Sequence, residues 1–148
     1  MSNTANQRRR RAERTRAFID ELIKRFPACF TAKRDRVRPL AIGIEKDIRK
    51  ALDDDDGESG VPTWLIRQAL ARYTRSPAYL NAIIAGHERI NLAGETVEAV
   101  TDQAIARARG QRDEQKARAA ERRRLRAEEA AEQRRRDKLQ QLADRFNH

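Results

Sequence analysis

The chain has 148 residues, 39% of them hydrophobic and 38% charged, and carries a formal net charge of +10. That length holds one small domain and some additional chain, and so high a charged fraction excludes packing every segment into a core. A single cysteine excludes an intrachain disulfide, two histidines are too few for a Cys/His zinc cluster, and no apolar run reaches the roughly 18 residues of a membrane span.

The charge is unevenly placed. Residues 1–16 carry six Arg and one Glu, net +5, residues 107–148 are net +6, and residues 17–106 are net −1. A near-neutral globule between two basic arms suits a protein whose arms attract phosphate. No apolar stretch follows the N-terminal arginines, so they are not a signal peptide, and a cytoplasmic protein is expected. The pattern divides the chain into a basic disordered arm at 1–14, a globular domain at 15–109, and a charged helical or disordered extension at 110–148.

In chain order, residues 1–11 are polar and arginine-rich and are expected to be disordered. Phe18, Ile19, Leu22, Ile23 and Phe26 recur at helical spacing, predicting a helix from about Ala12 or Thr15 to Arg25 that Pro27 ends. Ala28, Cys29 and Phe30 follow as an apolar connector, and Lys33, Arg34, Arg36 and Arg38 make a basic loop. Leu40, Ile44, Ile48 and Leu52 are four apart and predict a second helix starting near Pro39. The run from Asp53 to Gly60 (DDDDGESG) should end it as a solvated loop, because its carboxylates oppose the negative end of the helix dipole. That run lacks the alternating ligands and closing glutamate of a calcium hand, so no metal is expected there.

Val61-Pro62 opens a third helix. On a helical wheel, Leu65, Ile66, Ala69, Leu70 and Tyr73 share one side, while Arg67 and Arg72 fall on the other, followed by Arg75. Ser76-Pro77 then reads as a fresh helix start, with a hydroxyl N-cap and proline at the first helical position. The corner Thr74-Arg75-Ser76 is expected to present uncommitted backbone N–H groups and the positive end of a helix dipole, which suits phosphate. The fourth helix should run to about Ala85, with Gly86 as its stop. Residues 89–97 alternate polar and apolar across a glycine-containing turn, predicting a short β-hairpin. Thr101 can cap a final helix packing through Ala104, Ile105 and Ala108. Beyond Gly110 the sequence is mostly Arg, Glu, Ala and Gln. Glu114–Arg118 and Glu132–Arg136 lie at i,i+4, but Leu125, Leu139, Leu142 and Phe146 make too poor a seam for a coiled coil. The expected state is a frayed basic arm.

No catalytic pattern is present: no glycine-rich phosphate loop, no nucleophile elbow and no paired histidines. The acidic residues sit in the 53–58 run or alternate with basic ones, so a binding protein without cofactor is expected, not an enzyme. For a nucleic-acid partner, guanidinium groups and helix N-termini would hold phosphates while an aromatic stacks on an unpaired base. Tyr79 and Arg89 are placed for such roles, against the plainer readings of Tyr79 as core and of Arg67 and Arg72 as a solvated face. These features leave open a DNA-binding helix–turn–helix over 62–85, or an adaptor acting through the charged C-terminal helix.

Four segments narrow the choice. Arg25-Phe26-Pro27-Ala28-Cys29-Phe30, Arg38-Pro39-Leu40-Ala41-Ile42-Gly43-Ile44, Leu70-Ala71-Arg72-Tyr73-Thr74 with Tyr79-Leu80, and Arg89-Ile90-Asn91-Leu92-Ala93-Gly94 occur in order and at consistent spacing. Over about residues 18–108 the chain resembles the ProQ/FinO family of bacterial RNA chaperones. The resemblance implies a mainly α domain with a small β-hairpin. It also implies binding of structured RNA, notably intrinsic-terminator hairpins with a 3′ single-stranded tail, with stabilisation of small RNAs and promotion of RNA–RNA pairing. It points to Arg67, Tyr79 and Arg89 as RNA contacts on a concave face, and to Thr74-Arg75-Ser76 as the pocket for the RNA 3′ end. Arg38 and Arg72 join this set as flanking cations, and a monomer is expected. Ala41 and Thr63 stand where family members carry lysines, and Pro77 where an aromatic is common. Lys33, Arg36, Arg75 and the arms would then supply phosphate contacts.

Overall fold

The computed structural model describes residues 4–56 and 60–147. Helix α1 (Ala5–Arg25) is followed by a single 3-10 turn at Arg34–Arg36, then by α2 (Ile44–Asp56), α3 (Thr63–Thr74) and α4 (Pro77–Ile84). Strands β1 (Arg89–Ile90) and β2 (Thr96–Glu98) form an antiparallel hairpin, and α5 (Asp102–Phe146) closes the chain. The architecture is mainly α with one small hairpin. Residues up to Gly110 form one unit and those from Gln111 onward a second.

The periodicities read from the sequence place the core. Phe18 and Leu22 of α1, Ile44, Ile48 and Leu52 of α2, Leu65, Ile66, Ala69 and Tyr73 of α3, and Leu80 and Ile83 of α4 are all buried in one cluster, with Ala108 of α5 closing it. Cys29 and Phe30 are buried with them, so the connector after Pro27 is part of the core. Phe30 meets Tyr73 edge-on at 5.1 Å, and Tyr73 meets Tyr79 edge-on at 6.0 Å, a geometry favoured by the ring quadrupoles.

Thr101 caps α5 by accepting from the Ala104 N–H at 3.1 Å, and Gly86 leaves α4 with φ +79°. The hairpin turn is tied by Asn91, whose Oδ1 accepts from the N–H groups of Ala93 and Glu95. Gly94 sits at φ +80°, and a Cβ there would stand 2.8 Å from the Ala28 carbonyl oxygen. Only glycine fits both the left-handed backbone and the close approach.

Four expectations are corrected. Residues 5–11 are helical, not disordered: Thr4 and Gln7 form a reciprocal capping box at the start of α1, and Arg11 lies over the Trp64 ring. The second helix starts at Ile44, not near Pro39. Leu40 instead pairs in a parallel bridge with Ile90, where the Ala41 N–H donates to the Ile90 carbonyl and the Ile90 N–H to the Pro39 carbonyl. Residues 53–56 continue α2, because Leu52 is buried in that turn and Arg49 pairs with Asp53 at 3.6 Å while also donating to the Val61 carbonyl. Gly57, Glu58 and Ser59 of the expected loop lie outside the described residues.

The fourth correction concerns the extension. It is helical through Phe146, the helical one of its two expected states, and not a frayed arm. Glu114–Arg118 at 3.7 Å and Glu132–Arg136 at 2.8 Å form as their spacing suggests, and Arg124 joins Glu121 and Glu128. Leu125, Leu139, Leu142 and Phe146 are exposed.

Candidate nucleic-acid interface

The corner between α3 and α4 forms as the Ser76-Pro77 pair predicts. The Ser76 hydroxyl accepts from the Tyr79 N–H at 3.2 Å and donates to the Tyr73 carbonyl at 2.8 Å. The Thr74 hydroxyl donates to the Leu70 carbonyl at 2.8 Å, and Arg75 Nε to the Ala71 carbonyl at 3.1 Å. These groups therefore build the corner. The expectation of several uncommitted N–H groups is corrected: Pro77 has none, the Tyr79 N–H goes to the cap, and the Leu80 N–H goes to the Ser76 carbonyl. Ala78 is the first-turn residue left to offer one.

The mouth of α4 opens into a cleft of about 380 Å³. Ser76, Pro77 and Ala78 line it together with Ile19, Asp20 and Ile23 of α1, Thr31, Ala32 and Val37 of the connecting loop, and Arg34 and Arg72. Both guanidinium-bearing residues are exposed. They add to the positive end of the α4 dipole, so the cleft combines an apolar lining with two cations and one carboxylate. Arg34 came from the basic loop read in the sequence, but nothing in spacing could show that the 3-10 turn swings it to the helix mouth.

Tyr79 is corrected as a stacking residue. Only 7% of it is exposed, and its hydroxyl accepts from the Leu40 N–H at 3.0 Å. Its ring is a support for the loop over residues 31–40 and presents no face to a base. Tyr73 does the same further along, its hydroxyl accepting from the Thr31 N–H at 3.3 Å. Burial pushes the Tyr73 hydroxyl above its ordinary pKa, partly offset by that bond. Arg89 approaches Leu40 from the other end, its Nη1 donating to the Leu40 carbonyl at 2.9 Å. Tyr79 and Arg89 thus converge on one backbone segment, the segment that the Leu40–Ile90 bridge joins to the hairpin.

Of the expected contacts only Ser76 and Arg72 line this cleft; Arg75 lines a different one, and Arg67 and Arg38 are held elsewhere. Arg67 Nε donates to Glu45 of α2 at 3.0 Å, which holds it against that helix two turns before the corner. Arg38 folds back on the 3-10 turn, its Nη1 donating to the Asp35 and Val37 carbonyls at 3.2 and 2.9 Å. Lys33 and Arg36 line a separate depression with Pro27 and Thr31. Burial pushes the Cys29 thiol up to about 12, so it is an unreactive core group at neutral pH. Among the described residues no group of three or more His, Cys, Asp or Glu is placed to hold a metal ion, and no helix is long and apolar enough to cross a membrane.

Known proteins share this architecture. A model of the ProQ/FINO family matches residues 12–125. The RNA chaperone ProQ of Idiomarina loihiensis is 43% identical over 108 residues, 73% of this chain and 50% of that protein. The RNA chaperone ProQ of Alteromonas mediterranea is 38% identical over 126 residues, 85% of this chain and 54% of that protein. The chain spans about half the length of these curated relatives. Among solved structures, a ProQ homolog from Legionella pneumophila is 32% identical with a TM-score of 0.55, covering 65% of this chain and 78% of that one. A FinO-like RNA chaperone from Neisseria meningitidis is 28% identical with a TM-score of 0.52, covering 66% of this chain and 92% of that one. With the four sequence segments in register, the helical domain with its hairpin, and a family match over most of its length, the chain belongs to the ProQ/FINO family.

Proposed function

We propose that the chain is an RNA-binding chaperone, not an enzyme, and that it takes the 3′ single-stranded end of a structured RNA, such as an intrinsic-terminator hairpin, into the cleft at the mouth of α4. The observation that carries this reading is the convergence of Arg34 and Arg72 on the capped start of that helix. Two cations and a helix N-terminus hold a phosphodiester, releasing counterions as they do so. The apolar walls from Ile19, Ile23 and Pro77 receive the face of an unpaired base. Asp20 accepts from a ribose hydroxyl, a group DNA lacks at the 2′ position. Arg89 and Tyr79 act on the cleft indirectly, by holding the backbone at Leu40 from both sides. Binding of this kind stabilises small RNAs and brings pairing partners together in the cytoplasm, and it needs no cofactor and one copy of the chain.

A helix–turn–helix reading has less support. Four of the eight residues of α4, Tyr79, Leu80, Ala82 and Ile83, are buried, which leaves too little free face for a recognition helix to enter a major groove.

The test is binding of a tailed hairpin against the same hairpin without its 3′ tail at fixed salt. Loss of the tail is expected to weaken binding about tenfold or more, whereas recoding the stem with its pairing preserved should change affinity about twofold or less, because A-form duplex is read through shape and backbone. Equal affinity for tailed and tailless hairpins overturns the assignment of the cleft.

A further inference from the structure

The first turns of α1 are a structured wall, not a loose arm. Arg8, Arg11 and Thr15 follow one another at i,i+3 and i,i+4 and so share a face. Arg11 and Arg14 lie over the ring of Trp64, with guanidinium carbons 5.2 and 5.5 Å from its centroid. Between α1 and α3 this packing encloses a cleft of about 310 Å³ in which Arg8, Arg11, Arg72 and Arg75 converge beside Trp64 and Gln68. No carboxylate lines it. Among the described residues no ion pair involves Arg8, Arg11 or Arg72.

Four like charges around one hollow repel one another, and the cation–π contacts with Trp64 offset part of that cost while fixing where Arg11 points. An anion in the hollow would relieve more of it at Arg8, Arg11 and Arg72. Arg72 lines both this cleft and the one at the mouth of α4, so the two clefts meet at a single side chain. Arg8 and Arg11 lie outside the region that the family match covers.

We propose that the α1–α3 cleft is a second phosphodiester site, which takes the sugar-phosphate backbone of the RNA strand as it passes Arg72 away from the mouth of α4. This rests on the RNA-binding reading above and extends it along the strand. Guanidinium groups grip the phosphate oxygens, Gln68 offers both a donor and an acceptor to the ribose, and no base is read. The site lengthens the grip on the RNA without adding sequence preference.

The test uses the full chain and a tailed RNA hairpin, with affinity measured across a salt series. Arg8→Ala/Arg11→Ala is compared with Arg9→Ala/Arg10→Ala, which removes the same charge from the same helix but from residues that do not line the cleft. Both pairs are exposed, and alanine keeps the helix. For the cleft pair, affinity should fall about tenfold, and the slope of log affinity against log salt should shrink by about 1.4–1.8, the release expected from two phosphates. The control pair should stay within about twofold of the parent. Arg8→Lys/Arg11→Lys should recover most of the slope. Equal losses from the two alanine pairs would mean diffuse attraction and would overturn the proposal. So would an unchanged slope in the cleft pair while Arg34→Ala still weakens tail recognition, a result that leaves the α4 mouth standing. Absence of RNA binding by the parent chain would overturn both readings.

Discussion

Two arginine-rich helices occupy the two ends of the described chain, and they handle their charge in opposite ways. In α1 the only acidic residue among the first sixteen is Glu13, set against six arginines. Arg8 and Arg11 have no carboxylate three or four positions away along the helix, so they are left for the surface of α3 and for whatever anion enters the cleft there. Beyond Gly110, α5 intersperses eight acidic residues among its basic ones, and three of its arginines pair along the helix: Arg118 with Glu114, Arg124 with Glu121 and Glu128, and Arg136 with Glu132. Net charge hides this difference. A cation already facing its own helix's carboxylate contributes less to an external phosphate than one without such a neighbour.

That contrast gives an ordered set of expectations. The largest effect should come from Arg72→Glu, which places a carboxylate where the two clefts meet. RNA affinity by fluorescence anisotropy should fall about 100-fold, equivalent to about 3 kcal/mol, with the circular dichroism of the folded domain unchanged. A loss under about threefold would show that Arg72 is not shared by the two grips. A smaller effect is expected from Tyr79→Phe, which keeps the ring and removes the hydroxyl that holds the Leu40 N–H. It should destabilise the domain by about 1–2 kcal/mol through an unsatisfied buried donor, seen as a lower thermal midpoint. A variant with parental stability but abolished RNA binding would restore a direct contact for Tyr79. The smallest effect belongs to deletion of 111–148, a segment of net charge +4 in which Arg118, Arg124 and Arg136 are paired along their own helix. Affinity should fall about two- to fivefold with a slightly flatter salt dependence. The ranking of RNAs in a competition assay should not change, and a reversed ranking would show that the extension reads sequence.

What could be read from the residues alone was whatever depends on neighbours a few positions apart. The four-residue spacing of Ile44, Ile48 and Leu52, the Ser76-Pro77 helix start, the Gly86 stop, the Thr101 cap and the 89–97 hairpin are all local, and each is present. The i,i+4 ion pairs of the extension were legible for the same reason, though spacing alone does not state their cumulative effect on helicity. The differences between local pattern and structure share a cause as well. Leu40 continued the periodicity of a helix, yet its hydrogen bonds go to Tyr79, 39 residues away, and to Arg89, 49 residues away. Local patterning cannot weigh partners at that range.

The same division separates the inventory of the site from its arrangement. The amino-acid order determined which segments would be helical, which faces would be apolar, and that cations would cluster near a helix start. Tertiary packing alone decided that Tyr79 would face inward, that Arg67 would be held by Glu45, and that Arg34 and Arg72 would share a cleft while Arg8 and Arg11 closed another. The physical reason is that a side chain's periodicity states which way it leaves its own helix. Whether it meets solvent, a carboxylate or an aromatic ring depends on which other element the hydrophobic core brings alongside.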